Sequence, residues 1–187
     1  KCMGTAYLPE DVQIVAPHVW AFKIASFEAQ DRAFLVAHER WRHKRIFVST
    51  GMMYGDAIQR LKAMSRTLDM DLTLLHCVSA YPVPLDQLNL GLIRRLQLDG
   101  FSDHSGSVMT GGWAVMAGAK YLEVHCKLPA TSADNPDAGA HALLPNHLAE
   151  YIRNADYAAR VMGDTTCCDE RHWIEAERAM RPYVVRL

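Results

Sequence analysis

The sequence predicts an α/β fold of the TIM (β/α)8-barrel type, and three observations carry that reading. Short apolar, β-rich runs alternate with amphipathic stretches along most of the chain. Such alternation means parallel strands joined by crossover helices, either as an open doubly wound sheet or as a barrel. Nearly every run ends in polar groups, which is the habit of a barrel whose chemistry gathers at the carboxyl ends of its strands. A glycine-rich phosphate loop, the mark of an open sheet with one switch point, is missing from the sequence.

In order, the strand-like runs are Cys2–Leu8, Ala21–Ser26, Arg45–Ser49, Leu72–Cys77, Asp99–Asp103 and Tyr121–Lys127. Helical patterns fall between them at Glu28–His43, Asp56–Leu68, Leu88–Leu96 and Val108–Lys120. In the first helical pattern, Phe34, Leu35, Ala37, His38 and Trp41 form a stripe at helical spacing. Gly111-Gly112 inside the fourth reads as a packing feature. Pro145 suits a first helical turn, and Leu148, Tyr151, Ile152, Ala155, Ala159 and Met162 follow as one apolar face. The organisation expected is a partial barrel domain over 1–162 and a C-terminal tail over 163–187, with a charged helix near Glu170–Met180.

Composition narrows the function. The chain has 187 residues, half of them hydrophobic (50%), and 20 basic against 21 acidic side chains. A formal net charge of -1 argues against a nucleic-acid or anionic-membrane binder, which needs a basic surface. No apolar run approaches the roughly 20 residues of a membrane-spanning helix. The expectation is a soluble globular protein. Five cysteines without a regular framework favour a reducing cytoplasm over a secreted scaffold.

The strand-end groups are Thr5, Lys23 with Ser26, Ser49 with Thr50, His76 with Ser79, Ser102 with His104, and Glu123 with His125. His104 and His125 lie about one βα unit apart, so they project from adjacent strands. They read either as ligands of a divalent ion that also takes substrate oxygens, or as hydrogen-bonded histidines at a barrel mouth. Ser102-Asp103-His104 is not a hydrolase triad, because strand alternation turns Asp103 away from its neighbours. Lys23 sits between Phe22 and Ile24, where an unpaired ammonium is costly. Its partner is either a carboxylate such as Glu28 or a bound phosphate or carboxylate ligand.

Five segments together resemble the sialic acid synthase family, the phosphoenolpyruvate-condensing enzymes that make nonulosonic acids. They are Lys23-Ile24-Ala25-Ser26, Ser49-Thr50-Gly51-Met52, Leu75-His76-Cys77 with Tyr81-Pro82, Ser102-Asp103-His104, and Glu123-Val124-His125. The resemblance covers about Gly4 to Met162 and implies a TIM barrel represented by about strands 3 to 8. It implies that Thr5, Lys23, Ser26, Ser49 and Ser102 hold phosphoenolpyruvate, and that Ser79, Tyr81 and Asp137 face the sugar. His104 and His125 become ligands of Mn2+ or Mg2+, and Glu28, Glu123 and His125 the catalytic groups. The acceptor implied is an open-chain N-acetylated amino sugar, and the assembly a homodimer or higher oligomer.

Some family features have no counterpart in the sequence, among them the early segment with the first strands and a catalytic carboxylate. A complete barrel has eight strands and about 250 residues, so roughly 80–100 further N-terminal residues are expected in the natural product. Two other functions remain compatible with the residues. One is a catalytically silent barrel serving assembly or regulation, and the other a metal-dependent aldolase-type enzyme acting on another aldehyde.

Overall fold

The computed structural model describes residues 1–163. Six strands, all parallel to their neighbours, run in simple sequence order across one sheet. They are β1 (Met3–Thr5), β2 (Ala21–Ile24), β3 (Arg45–Ser49), β4 (Leu72–Cys77), β5 (Gly100–Asp103) and β6 (Tyr121–Val124). The crossovers carry α1 (Val12–Val15), α2 (Arg32–Ala37), α3 (Gly55–Thr67), α4 (Gly91–Arg95) and α5 (Thr110–Met116), and α6 (Pro145–Met162) follows β6. The expected tail at 163–187, with its helix, lies outside the described residues apart from Gly163.

The sheet is curled, as a barrel wall must be. In a flat sheet with strands about 4.8 Å apart, β2 and β6 would stand roughly 19 Å from each other. Yet Lys23 on β2 reaches Glu123 on β6 at 3.6 Å, and Phe47 on β3 packs against Tyr121 on β6 with ring centroids 5.4 Å apart. The six strands therefore form an open trough, a partial TIM-type barrel.

Side chains alternate between the two faces of that trough. On the convex face, Phe22, Ile24, Ile46, Val48 and Leu74 pack against Val12, Phe34, Leu35, Ile58 and Leu61 from the first three helices. A second convex cluster joins Phe101 to Ile93 and Ala114. On the concave face, Ala21, Phe47, Leu75 and Tyr121 make an apolar floor. Polar residues lie above it.

Three expectations change in detail. Helix α2 is shorter than the pattern at Glu28–His43 implied, because the Asp31 carboxylate caps it by accepting from the backbone N–H of Ala33 (2.8 Å) and Phe34 (3.2 Å). The buried stripe survives that shortening, and His38 is fully enclosed with its ring edge-on to Phe22 and Phe34. Helix α1, flanked by 3-10 turns, was not foreseen. It is four residues long, β-branched at Val12, Ile14 and Val15, and too short for a helical period.

The third change concerns α6, whose inner face is Tyr151, Ala155 and Ala158. Ile152 (50% exposed), Met162 (37% exposed) and Ala159, all expected inside, are exposed. The cause is close approach to α5. A Cβ on Gly111 would lie 2.6 Å from the Tyr151 ring, and one on Gly112 only 3.0 Å from the Asn154 carbonyl. Gly111-Gly112 is thus a packing device, and it selects the small or flat residues of α6.

Candidate functional site

The carboxyl ends of the strands open into a cleft of about 290 Å³. It is lined by Thr5, Tyr7, Lys23, Ser26, Phe27, Glu28, Ser49, Tyr81, Ser102, His104, Glu123 and His125. The sequence had singled out all of these except Tyr7 and Phe27. A larger groove, about 460 Å³, runs between α2 and α3, but Leu35, Met53, Leu61 and Met64 dominate it and it holds no acid, histidine or cysteine.

Strand alternation explains the convergence. Lys23, Ser49, Ser102 and Glu123 all point into the trough, and the β5–β6 register sets Ser102 beside Glu123. The Ser102 hydroxyl donates to Glu123 Oε2 at 2.5 Å, and Lys23 Nζ stands 3.6 Å from the same oxygen. Lys23 also donates to the Ile24 carbonyl at 3.2 Å and is only 7% exposed. The carboxylate that meets Lys23 is therefore Glu123, not Glu28. Glu28 lines the same cleft with a buried Oε2 that has no hydrogen-bond partner, and the buried Ser49 hydroxyl is equally unpartnered. Lining the cleft, these two open polar atoms are available to a ligand's polar atoms or to water.

Other strand-end residues serve the wall. Asp103 faces outward, accepting from the backbone N–H of Ser105 at 2.8 Å and from the Thr110 hydroxyl. His76 also faces outward, bonded through Nε2 to the Leu88 carbonyl at 2.7 Å and stacked on Phe101. Thr50 donates its hydroxyl to the Leu75 carbonyl. Ser79 donates to Ser26 at 3.0 Å and lines an adjoining hollow with Thr50, Met52 and Cys77 rather than the cleft itself. Cys77 lies behind Ser26 and His104, at 3.8 Å from each, and burial pushes its thiol up and away from a reactive thiolate.

The rim of the cleft is built from imidazoles. His104 is held by a bond between Nδ1 and the Val78 carbonyl (2.9 Å), which leaves Nε2 free. Tyr81 lies over its ring at 4.1 Å, and His125 stands 5.2 Å from His104 and 5.9 Å from Tyr81, so the three rings form one cluster. Burial lowers the pKa of His104, which keeps it neutral and able to offer a lone pair. Tyr81 is pushed up to about 12 by burial, with Cys77, Glu123 and Asp137 adding to the shift.

Beyond β6 the chain folds back. Leu143 donates its N–H to the His125 carbonyl, and Lys127 donates its own to the Leu143 carbonyl. The Lys127 ammonium also donates to the carbonyls of Ala138 and Gly139. This return places Asp137 Oδ1 2.6 Å from His125 Nδ1 and brings His141 to the same spot. His141 was not foreseen. Its only signal in the sequence was a lone imidazole in the apolar stretch from Ala138 to Pro145.

The donor set fits a divalent ion. His125, Asp137 and His141 offer ligand atoms all within 4.8 Å of one another, and His104 presents a free nitrogen beside them. No described helix is long and apolar enough to cross a membrane.

A family model described as the NeuB family matches residues 1–166. The chain belongs to the NeuB family. Among its relatives is the pseudaminic acid synthase of Campylobacter jejuni (strain 81-176), 32% identical over 136 residues, 68% of this chain and 39% of that protein. The human N-acetylneuraminate-9-phosphate synthase is 27% identical over 151 residues, 78% of this chain and 41% of the relative. The NeuB-family chain thus spans about two fifths of these relatives' length. Its fold matches the N-acetylneuraminic acid synthetase of Leptospira borgpetersenii with a TM-score of 0.81 at 22% identity, over 96% of this chain and 62% of that one.

Proposed function

We propose that this chain forms the reaction cleft of a nonulosonic acid synthase, condensing phosphoenolpyruvate with an open-chain N-acetylated amino sugar and releasing phosphate. One observation carries the reading. A buried lysine, several small hydroxyls and two carboxylates converge on the concave wall, directly below a rim of imidazoles. Phosphoenolpyruvate is a small, highly charged anion with a phosphate and a carboxylate. Lys23, Ser26, Ser49 and Ser102, with Thr5, are the donors that would hold it. The unpartnered Ser49 hydroxyl gains a partner when the anion binds, and the loose 3.6 Å pair lets Lys23 turn from Glu123 toward the ligand.

A divalent manganese or magnesium ion, held with His104 and His125 in its shell, would supply Lewis acidity toward the sugar's aldehyde oxygen. The residues of the chain do the rest. Lys23 and the hydroxyls fix the enol carbon of phosphoenolpyruvate against the aldehyde carbon, where the new carbon–carbon bond forms. Water adds to the resulting oxocarbenium-like carbon, and the bond from that carbon to the phosphate oxygen breaks. Glu123 and Glu28, the cleft carboxylates, would accept the water's proton, and the alkoxide formed from the aldehyde oxygen takes up one in turn. The exposed face of Tyr81, at the mouth, offers a platform for the sugar.

The test is phosphate release from the whole protein incubated with phosphoenolpyruvate, Mn2+ and a panel of N-acetylated amino sugars. Release that depends on one of the sugars is expected. A folded, metal-loaded protein that releases none across the panel overturns the reading and leaves a silent barrel or an aldolase-type enzyme acting on another aldehyde.

A further inference from the structure

Consecutive strand ends meet behind the wall of the cleft. Ser26 follows β2, Gly51 follows β3 and Ser79 follows β4. The Ser79 hydroxyl donates to Ser26 Oγ at 3.0 Å, and Ser26 is only 4% exposed. Ser26 lines the cleft, whereas Ser79 lines the hollow beside it. The two hydroxyls can meet because the residue between them has no side chain. A Cβ on Gly51 would overlap the Ser79 hydroxyl and stand 2.9 Å from Ser26 Cβ and 3.0 Å from Ser26 Oγ. The backbone of Gly51 is not left-handed, so glycine is required there for space alone.

This pairing decides where the Ser26 proton goes. A hydroxyl has one proton to donate and lone pairs that accept. With Ser79 donating to it, Ser26 uses a lone pair on its neighbour and keeps its own proton for another acceptor. Cys77 Sγ, 3.8 Å away, is a weak one. An anion in the cleft is far stronger, because hydrogen bonds to charged groups are shorter and roughly twice as strong as neutral ones. A hydroxyl that already accepts a hydrogen bond is also polarised into a better donor.

We infer that Ser79 is a positioning residue for the anionic substrate: in the space that Gly51 leaves, it aims the Ser26 proton at phosphoenolpyruvate and does not touch the sugar. The assignment rests on reading the cleft as the phosphoenolpyruvate site. It replaces the sugar contact that the resemblance implies for Ser79, and it gives Gly51 a part in the same site.

Calorimetric titration of the whole protein with phosphoenolpyruvate, in Mn2+ and without sugar, tests this in a double-mutant cycle. Ser79→Ala should weaken binding by about three- to tenfold, the loss of one neutral hydrogen bond. Ser26→Ala should weaken it by about tenfold or more. In the Ser26→Ala background, Ser79→Ala should add less than about twofold, because its effect passes through the missing hydroxyl. Gly51→Ala, which forces the two hydroxyls apart, should repeat the Ser79→Ala loss. Thermal melts establish which variants are folded, and the serine variants, each short of one oxygen, carry the test if Gly51→Ala does not fold. In turnover, Ser79→Ala should raise the half-saturating phosphoenolpyruvate concentration and leave that of the sugar within about twofold of the parent's. The assignment is overturned if folded Ser79→Ala binds phosphoenolpyruvate as the parent does, if the two serine effects multiply independently, or if the sugar's half-saturation rises instead. A parent that binds no phosphoenolpyruvate breaks the synthase reading and this assignment with it. Binding and coupling as expected, without sugar-dependent phosphate release, breaks the synthase reading alone.

Discussion

The two faces of the curled sheet use the same alternating residues for opposite ends. The convex face buries Phe22, Ile46, Val48 and Phe101 against helices, and its histidines, His38 and His76, are bonded to backbone carbonyls. The concave face carries Lys23, Ser49, Ser102 and Glu123 above a thin apolar floor, and leaves Ser49 without a partner. One face is packed for stability. The other faces a cleft with its unpartnered polar atoms, Ser49 Oγ and Glu28 Oε2, whereas those of the convex side, His38 Nε2 and Tyr151 Oη, are sealed among helices. The difference teaches that neighbouring positions on one strand belong to different experiments: Phe22 and Lys23, or Phe101 and Ser102.

The widest separation should come from truncation. Phe22→Ala and Phe101→Ala remove fully buried rings from the convex core, and each should cost about 3–5 kcal/mol of unfolding free energy. Ser49→Ala removes an unpartnered hydroxyl and should stay within about 1 kcal/mol of the parent while impairing turnover. Denaturant unfolding measures both. Equal losses on the two faces would erase the distinction.

A smaller effect tests the helix contact on the convex side. Gly111→Ala drives a methyl group into the Tyr151 ring and should cost about 1–3 kcal/mol. Gly91→Ala is the control, since a Cβ there meets nothing within 4 Å. If both substitutions leave the melting temperature unchanged, α5 and α6 do not pack as closely as described.

The convex face was the more legible one. Its signal is periodic, and Phe34, Leu35 and His38 announce a helix whatever their tertiary partners. Boundaries failed where a local bond overrides the pattern, as Asp31 does at the start of α2. The face of α6 was misread because Gly111 and Gly112, distant in sequence, decide which residues fit beneath them. On the concave face, strand-end polarity and the matched segments found Lys23, Ser102, His104, Glu123 and His125. They could not find the partner of Lys23, because Glu123 meets it only when the sheet curls across four strand intervals. His141 was invisible for a similar reason: backbone pairing of Leu143 with His125 brings it in, and no side-chain pattern encodes that return.

Lys23 sharpens the comparison from the concave side. Lys23→Met keeps the length of the side chain and removes the charge, and Glu123 retains its bond from Ser102. Removing one member of an ion pair is costly when it strands the other charge in a dry site. The Glu123 side chain, however, is 31% exposed and keeps water and the Ser102 hydroxyl, so the loss of stability should be small. The half-saturating phosphoenolpyruvate concentration should rise by about tenfold or more, or turnover should vanish, in a protein that melts near the parental temperature. Normal kinetics would make Lys23 a structural residue and remove the distinction at β2.

The smallest effect is the pH dependence of the convex face, and its sign follows from burial. Desolvation lowers the pKa of both His38 and His76, outweighing the backbone bonds to Phe34 and Leu88 that raise it. The unfolded chain therefore takes up protons that the folded core refuses. Their contribution to stability is present above the ordinary histidine value near 6.5 and is lost as pH falls from there toward the lowered folded values. The denaturation midpoint, measured with a chelator present so that metal release does not contribute, should fall between about pH 7 and 5. His104 and His141 on the concave rim are lowered by burial as well, so the parent's slope mixes the two faces. His76→Leu separates them. It loses the bond to Leu88 and is less stable at neutral pH, yet its midpoint should depend less steeply on pH than the parent's. An unchanged slope would place the acid sensitivity on the concave rim and leave the convex histidines protonated or exposed in the folded protein.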